Sequence, residues 1–209
     1  TTDILFSDNY PLTHWEPIRL VSSVQREVMS AAAPNPVIHV YENCWQEEEG
    51  RGINRAKTAG ELRRLMYYAL GDGARGLVGW WNVSSGEGKR KYHATREFPD
   101  QWSAQADVYQ EAGFVEPLLA IAYPARLRVT AAPELHGAPL LAGPRAMLVV
   151  LVNERLDYSG DHSLSTPARD VVVTVEPPPW LVPEAVYRVV PGGVEPLEFA
   201  DTPEGLRIQ

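Results

Sequence analysis

The chain holds one cysteine, Cys44, in 209 residues, so no intrachain disulfide can form, and no neighbour in sequence marks that thiol for activation. No run of about 18 apolar residues occurs, which leaves no candidate membrane-spanning helix. The opening TTDILFSDNYPL lacks the basic, apolar and small-residue segments of a signal peptide. The compartment stays open, with secretion or a periplasm compatible. Basic residues are scarce: 19 Lys and Arg stand against 27 Asp and Glu, for a net charge of -8. The main basic cluster is Lys89 to Lys91 with Arg96 nearby, too little to bind a phosphate backbone, so no nucleic-acid partner is expected. Gly71-Asp72-Gly73 and Gly86-Glu87-Gly88 have neither a Lys-Ser/Thr sequel nor a dinucleotide-binding frame. Asp157, Asp161 and His162 match no metal-binding loop spacing, so neither metal nor cofactor is expected.

What remains is a chain able to bury a core. With 44% hydrophobic and 22% charged residues, it fits one large or two modest domains. From Asp3 to Ala122, short apolar strands alternate with helix-like stretches, the pattern of βαβ units in a parallel sheet. Strands are predicted at Ile4 to Phe6, Val37 to Tyr41 and Gly76 to Trp81, and helices from near Pro17, from Glu61 and over Ser103 to Ala120. Thr58-Ala59-Gly60-Glu61 is a capping box, and Gly71-Asp72-Gly73 ends the helix it opens. After Tyr123-Pro124 the helices stop. Leu127 to Thr130, Met147 to Asn153, Val171 to Val175, Ala185 to Val190 and Leu197 to Phe199 are strand-like runs separated by turn residues, which predicts an antiparallel β-sandwich.

Three β/α units cannot close a barrel, which needs eight parallel strands before the sheet meets itself. Both ends of the sequence fall in strand-like stretches, so a piece of a larger barrel is expected, against the alternative of a complete open α/β sheet with a β appendage. Ser7-Asp8-Asn9-Tyr10-Pro11, Pro36 to Glu42, Thr58 with Glu61-Leu62-Arg63, and Tyr68 through Gly76 into Trp80-Trp81, in that order and spacing, resemble the end of a (β/α)8-barrel glycoside hydrolase. The similarity is to the large retaining clan that includes β-galactosidases. It implies that residues 1–122 are the last three β/α units and residues 123–209 the following β-sandwich, cut short at its C-terminal end. It also implies a carbohydrate substrate, and an N-terminal barrel half on the same protein or a second chain.

In that clan the seventh strand bears the nucleophilic glutamate and the fourth bears the acid/base glutamate. By strand order the resemblance puts Glu42 at the nucleophile's place, and the fourth strand lies outside this sequence. Retaining hydrolysis needs two carboxyl groups about 5 to 5.5 Å apart, so this chain supplies at most one. Glu42 has a second reading, a strand-end carboxylate hydrogen-bonded to a loop amide or paired with Arg51 or Arg55. Asp8 and Tyr10 can bond sugar hydroxyls, or Asp8 can cap its turn. Trp80 and Trp81 offer faces for a pyranose, and strand alternation sends only one of them inward. Asn43 and Trp45 are weaker substrate-binding candidates, and His39 reads as a satisfied core histidine. Asn153-Glu154 repeats the acid/base dipeptide on a sandwich strand, where it is a decoy. Three functions compete: part of a hydrolase of O-glycosidic bonds, a barrel that binds saccharide without cleaving it, and a fragment active only when assembled with its partner.

Overall fold

The computed structural model describes residues 3–11, 16–43, 45–48, 56–80, 90–93, 97–159 and 162–209, with 45–48, 90–93, 156–159 and 162–165 described by backbone pairing alone. The first half runs β1 (Leu5–Asn9), α1 (Leu20–Ala32), β2 (Val37–Glu42), β3 (Trp45–Glu48), α2 (Ala59–Gly71), β4 (Gly76–Trp80), β5 (Arg90–His93), α3 (Pro99–Phe114) and α4 (Glu116–Leu119). Strands β1, β2 and β4 form one parallel sheet in that order, with Ser7 opposite His39 and His39 opposite Leu77. The polar stretches on either side of α2, which carry no alternating apolar pattern, contribute β3 and β5, which pair antiparallel to each other.

Side chains alternate across a strand, and here the two faces differ sharply. Val37, His39 and Tyr41 point into the helix layer, where Tyr41 joins Val21 of α1, Leu62, Leu65, Met66 and Ala69 of α2, and Val108 of α3 in one buried cluster. The opposite face carries Phe6, Val78 and Trp80, exposed by 60%, 43% and 46%. Helices therefore cover one side of this sheet only, among the described residues.

Helix α2 is the hub. Its capping box forms as predicted: the Glu61 amide donates to Thr58 Oγ1 at 3.2 Å, and the Thr58 amide donates to Glu61 Oε2 at 2.8 Å. Its end is set by Gly73 at φ 94°, where a side chain would also run into the Pro124 ring. Arg63 reaches across to Glu111 of α3 at 2.9 Å.

The second half is antiparallel throughout and contains no helix among its described residues. It comprises β6 (Ala122–Pro124), β7 (Val129–Thr130), β8 (Leu135–Ala142), β9 (Ala146–Asn153), β10 (Leu156–Ser159), β11 (His162–Ser165), β12 (Val173–Val175), β13 (Val186–Val190), β14 (Gly193–Leu197), β15 (Phe199–Thr202) and β16 (Gly205–Ile208). Sheets of order β6-β8-β9 and β15-β16-β12-β7 accompany the hairpins β10-β11 and β13-β14. Helix α2 packs on β8 and β9: a Cβ on Gly71 would lie 2.9 Å from Ala138 Cβ and 3.2 Å from Val150 Cβ. The Tyr68 hydroxyl donates to the Glu154 carboxylate across the same contact, and burial with that carboxylate raises the phenol's pKa. Glu154 thus joins the two halves.

His39 lies fully buried beside Ser7, and neither ring nitrogen has a hydrogen-bond partner among the described residues. The expected core position holds; the expected satisfaction does not. Burial lowers its pKa from 6.5 to about 4, so the unfolded chain binds a proton that the folded chain refuses. Stability from this group is fully present above pH 6.5 and lost as pH falls toward 4, by about 3 kcal/mol in all. Chemical denaturation across that window should show His39→Leu with a flatter acid limb than the parent; identical slopes would refute the assignment.

Candidate functional site

The C-terminal rim of the open sheet face gathers the chemistry-bearing side chains. Asp8 of β1, exposed, shares the face with Phe6 and Val78. Glu42, the last residue of β2, stands opposite Trp80, the last of β4. Trp80 is the exposed aromatic of this rim, whereas Trp81 lies outside the described residues. Tyr10, half-buried, follows β1 directly.

Glu42 does not project into solvent. Its Oε2 lies 2.6 Å from Lys57 Nζ, and both side chains are buried, at 5% and 4% exposure. The local sequence explains why the cation sits there. Lys57 immediately precedes the capping threonine, so the box that starts α2 also fixes the lysine's backbone, and its carbonyl accepts Gln101 Nε2 at 2.5 Å. Arg51 and Arg55, the partners considered from sequence, lie outside the described residues. Lys57 was not singled out, although a lysine abutting a capping box is held as firmly as the helix start.

Asn43 turns the other way. Its amide donates to the Trp80 carbonyl at 2.8 Å, and its Nδ2 donates to Gln105 Oε1 at 3.1 Å on the helix side. The same oxygen accepts the Tyr41 hydroxyl at 2.7 Å, the Tyr41 and Tyr109 hydroxyls are 2.9 Å apart, and Tyr109 donates to the Leu77 carbonyl at 3.3 Å. Burial raises the pKa of both phenols, so they act as neutral hydrogen-bonding groups. Tyr41, Asn43, Gly79, Trp102, Gln105, Ala106 and Tyr109 line a groove of about 230 Å³. A Cβ on Gly79 would collide with Asn43 Nδ2, so glycine there keeps this network closed.

The structure therefore brings Asp8, Glu42 and Trp80 to one face and sends Asn43 and His39 to the other. Trp45 pairs with His93 through the backbone, and its side chain lies outside the description. No cluster of three or more His, Cys, Asp or Glu side chains with metal-binding proximity occurs among the described residues, and no described helix is long and apolar enough to cross a membrane. The rim can hold an anion beside a fixed cation next to an indole, an arrangement suited to a neutral ligand with hydroxyl groups and an apolar face. No family model, no curated protein and no solved structure matches the chain.

A buried pair broken on one side leaves the other charge poorly compensated. Lys57→Met and Glu42→Gln should each destabilise the chain by about 3 to 5 kcal/mol, and the double variant should cost much less than their sum. Urea unfolding of the four proteins gives the coupling energy. Additivity within about 0.5 kcal/mol would mean that the two groups do not act as a pair.

Proposed function

We propose that this chain is the C-terminal portion of a glycoside hydrolase acting on O-glycosidic bonds of an oligo- or polysaccharide. Residues 3–122 form the last three β/α units of a barrel, and residues 123–209 form a β-sandwich that supports it. Glu42 is the nucleophile or the carboxylate that stabilises positive charge at the anomeric carbon, Trp80 stacks on the sugar, and Asp8 and Tyr10 bond its hydroxyls. The acid/base carboxyl comes from the N-terminal barrel half.

One observation carries this reading. A charged, structurally anchored glutamate ends a parallel strand, on the face that the helices leave open, in register with an exposed tryptophan. In a barrel the C-terminal strand ends form the catalytic face, and a carboxylate there is the group that attacks or stabilises the anomeric carbon.

The closeness of Lys57 also favours a second reading, saccharide binding without cleavage. A carboxylate committed to an ammonium at 2.6 Å is a poorer nucleophile than one held by neutral donors. Assays on the chain joined to its N-terminal half separate the two. Hydrolysis of nitrophenyl glycosides should fall about 10³-fold or more in Glu42→Gln, and Trp80→Ala should weaken substrate affinity. Equal rates for Glu42→Gln and parent reject the hydrolase; calorimetric binding with no product selects the binding protein.

A further inference from the structure

A cavity of about 440 Å³ opens in the antiparallel half and shares no residue with the rim that carries Glu42. Three connections far apart in sequence wall it: Glu134 and Leu135 where β8 begins, Arg155 between β9 and β10, and residues 166–172 between β11 and β12. Hydrogen bonds pin these walls to one another. Asn153 is the clasp, since its Oδ1 accepts the Arg155 amide at 2.9 Å and its Nδ2 donates to the Thr166 carbonyl at 2.7 Å. The Glu154 amide donates to the Glu134 carbonyl at 2.7 Å, which ties the β8 wall to the same turn. In the third connection Asp170 holds φ at 50°, a left-handed conformation that is costly for a residue with a side chain and that gathers at ligand-binding segments. Arg155, Arg169 and Asp170 are exposed and Glu134 is half-buried, and none of the four forms an ion pair among the described residues.

We infer that this cavity binds a sugar acid, a polyhydroxylated ring or chain that carries a carboxylate. Its lining matches each part of such a ligand. A guanidinium presents a planar fork of donors that fits a carboxylate, and two arginines meet here without an acidic partner among the described residues. Glu134 and Asp170 accept hydrogen bonds only, so a ligand seated beside them must also bring donors, and hydroxyl groups are such donors. Sulfate brings none and would face two carboxylates. A neutral sugar would leave both arginines without a counter-charge. Leu135 and Val171, half-buried in the lining, offer apolar surface to the C–H groups of a sugar. The volume falls within the span of roughly 300 to 1,000 Å³ usual for small-ligand pockets. The chain as a whole is acidic, at a net charge of -8, so an acidic ligand is held by the two local arginines and not by the overall field. The inference does not pass through Glu42 and holds whether or not the chain takes part in hydrolysis.

Calorimetric titration of the chain with galacturonic acid, its linear trimer, galactose and inorganic sulfate tests the proposal. The acidic sugar should bind one site saturably, about tenfold or more tightly than galactose or sulfate. Tighter binding of the trimer assigns the ligand to an acidic glycan, and tighter binding of the monomer to a free sugar acid. Arg155→Gln and Arg169→Gln fall at exposed positions, so their circular dichroism should match the parent, and each should weaken the acidic sugar about tenfold. Arg188→Gln, on β13, should leave that affinity as it is. Should a glutamine variant fail to fold, Arg155→Lys and Arg169→Lys replace it, because lysine keeps the charge and removes the fork, and several-fold weaker binding is expected. Absence of saturable heat with both acidic sugars overturns the proposal, as does equal affinity for galactose or sulfate, or full affinity in the variants of both arginines. Glycosidase activity enters none of these readouts, so failure of the hydrolase reading leaves this site standing and loss of the site leaves that reading untouched.

Discussion

One-sided coverage of a parallel sheet is the constraint from which the rest of this structure follows. Parallel strands connected by helices need both faces buried, and among the described residues β1, β2 and β4 meet that requirement on one face alone. On the covered side the alternation places Val37, His39 and Tyr41 against the helices. On the other it leaves Phe6, Val78 and Trp80 in contact with solvent. An open α/β sheet escapes this by placing helices on both sides, with strand order reversing at a switch point. Here the strand order β1-β2-β4 follows the sequence, so no switch point occurs among the described strands of this sheet.

Helix α2 converts local sequence chemistry into the geometry of the candidate site. The Thr58 and Glu61 side chains satisfy amides at the helix start and so hold the preceding residue, Lys57, in place. Lys57 meets Glu42 at the end of β2. One turn of helix thereby sets the position of a charge on a neighbouring strand. The far end of the same helix packs Gly71 and Tyr68 onto β8, β9 and Glu154, so the antiparallel half braces the element that positions the site. A disturbance at the contact between the halves can reach Glu42 through α2 without touching the rim.

Much of the parallel half was legible because its signals are local. Three apolar runs bounded by turn residues became three strands, and the capping box and Gly73 marked both ends of α2. The antiparallel half was harder to read. Strand β8 contains Gly137 and Pro139, which argue against a strand, but both have tertiary reasons. A Cβ on Gly137 would lie 2.5 Å from Val129 Cγ1. The Pro139 carbonyl accepts from Ala125 just past the end of β6, so its missing amide hydrogen falls where the ladder already stops. Strands β3 and β5 are drawn from polar segments whose pairing partner lies on the other side of α2, a separation that no period-2 pattern reveals. Asp8, Glu42 and Trp80 could be chosen because strand ends carry chemistry, whereas Lys57 required knowing which loop folds over which strand.

The electrostatics of Glu42 bear on the chemistry as well as on the fold. Removing a carboxylate and an ammonium from water costs several kcal/mol per ion, and replacing such a pair by apolar residues is often neutral or stabilising. Packing alone therefore gives no reason for a buried charged pair at the rim of an apolar sheet face. A site that must present an oriented carboxylate to a ligand does supply one, because the lysine fixes the glutamate's position before the ligand arrives. The same cation limits what the carboxylate can do. Turnover by attack requires the ammonium to yield part of its hold as the bond to carbon forms, while charge stabilisation requires no such movement. Under the proposed hydrolase reading, the 2.6 Å contact fits stabilisation of a developing positive charge with less rearrangement than attack, which requires Lys57 to move away first.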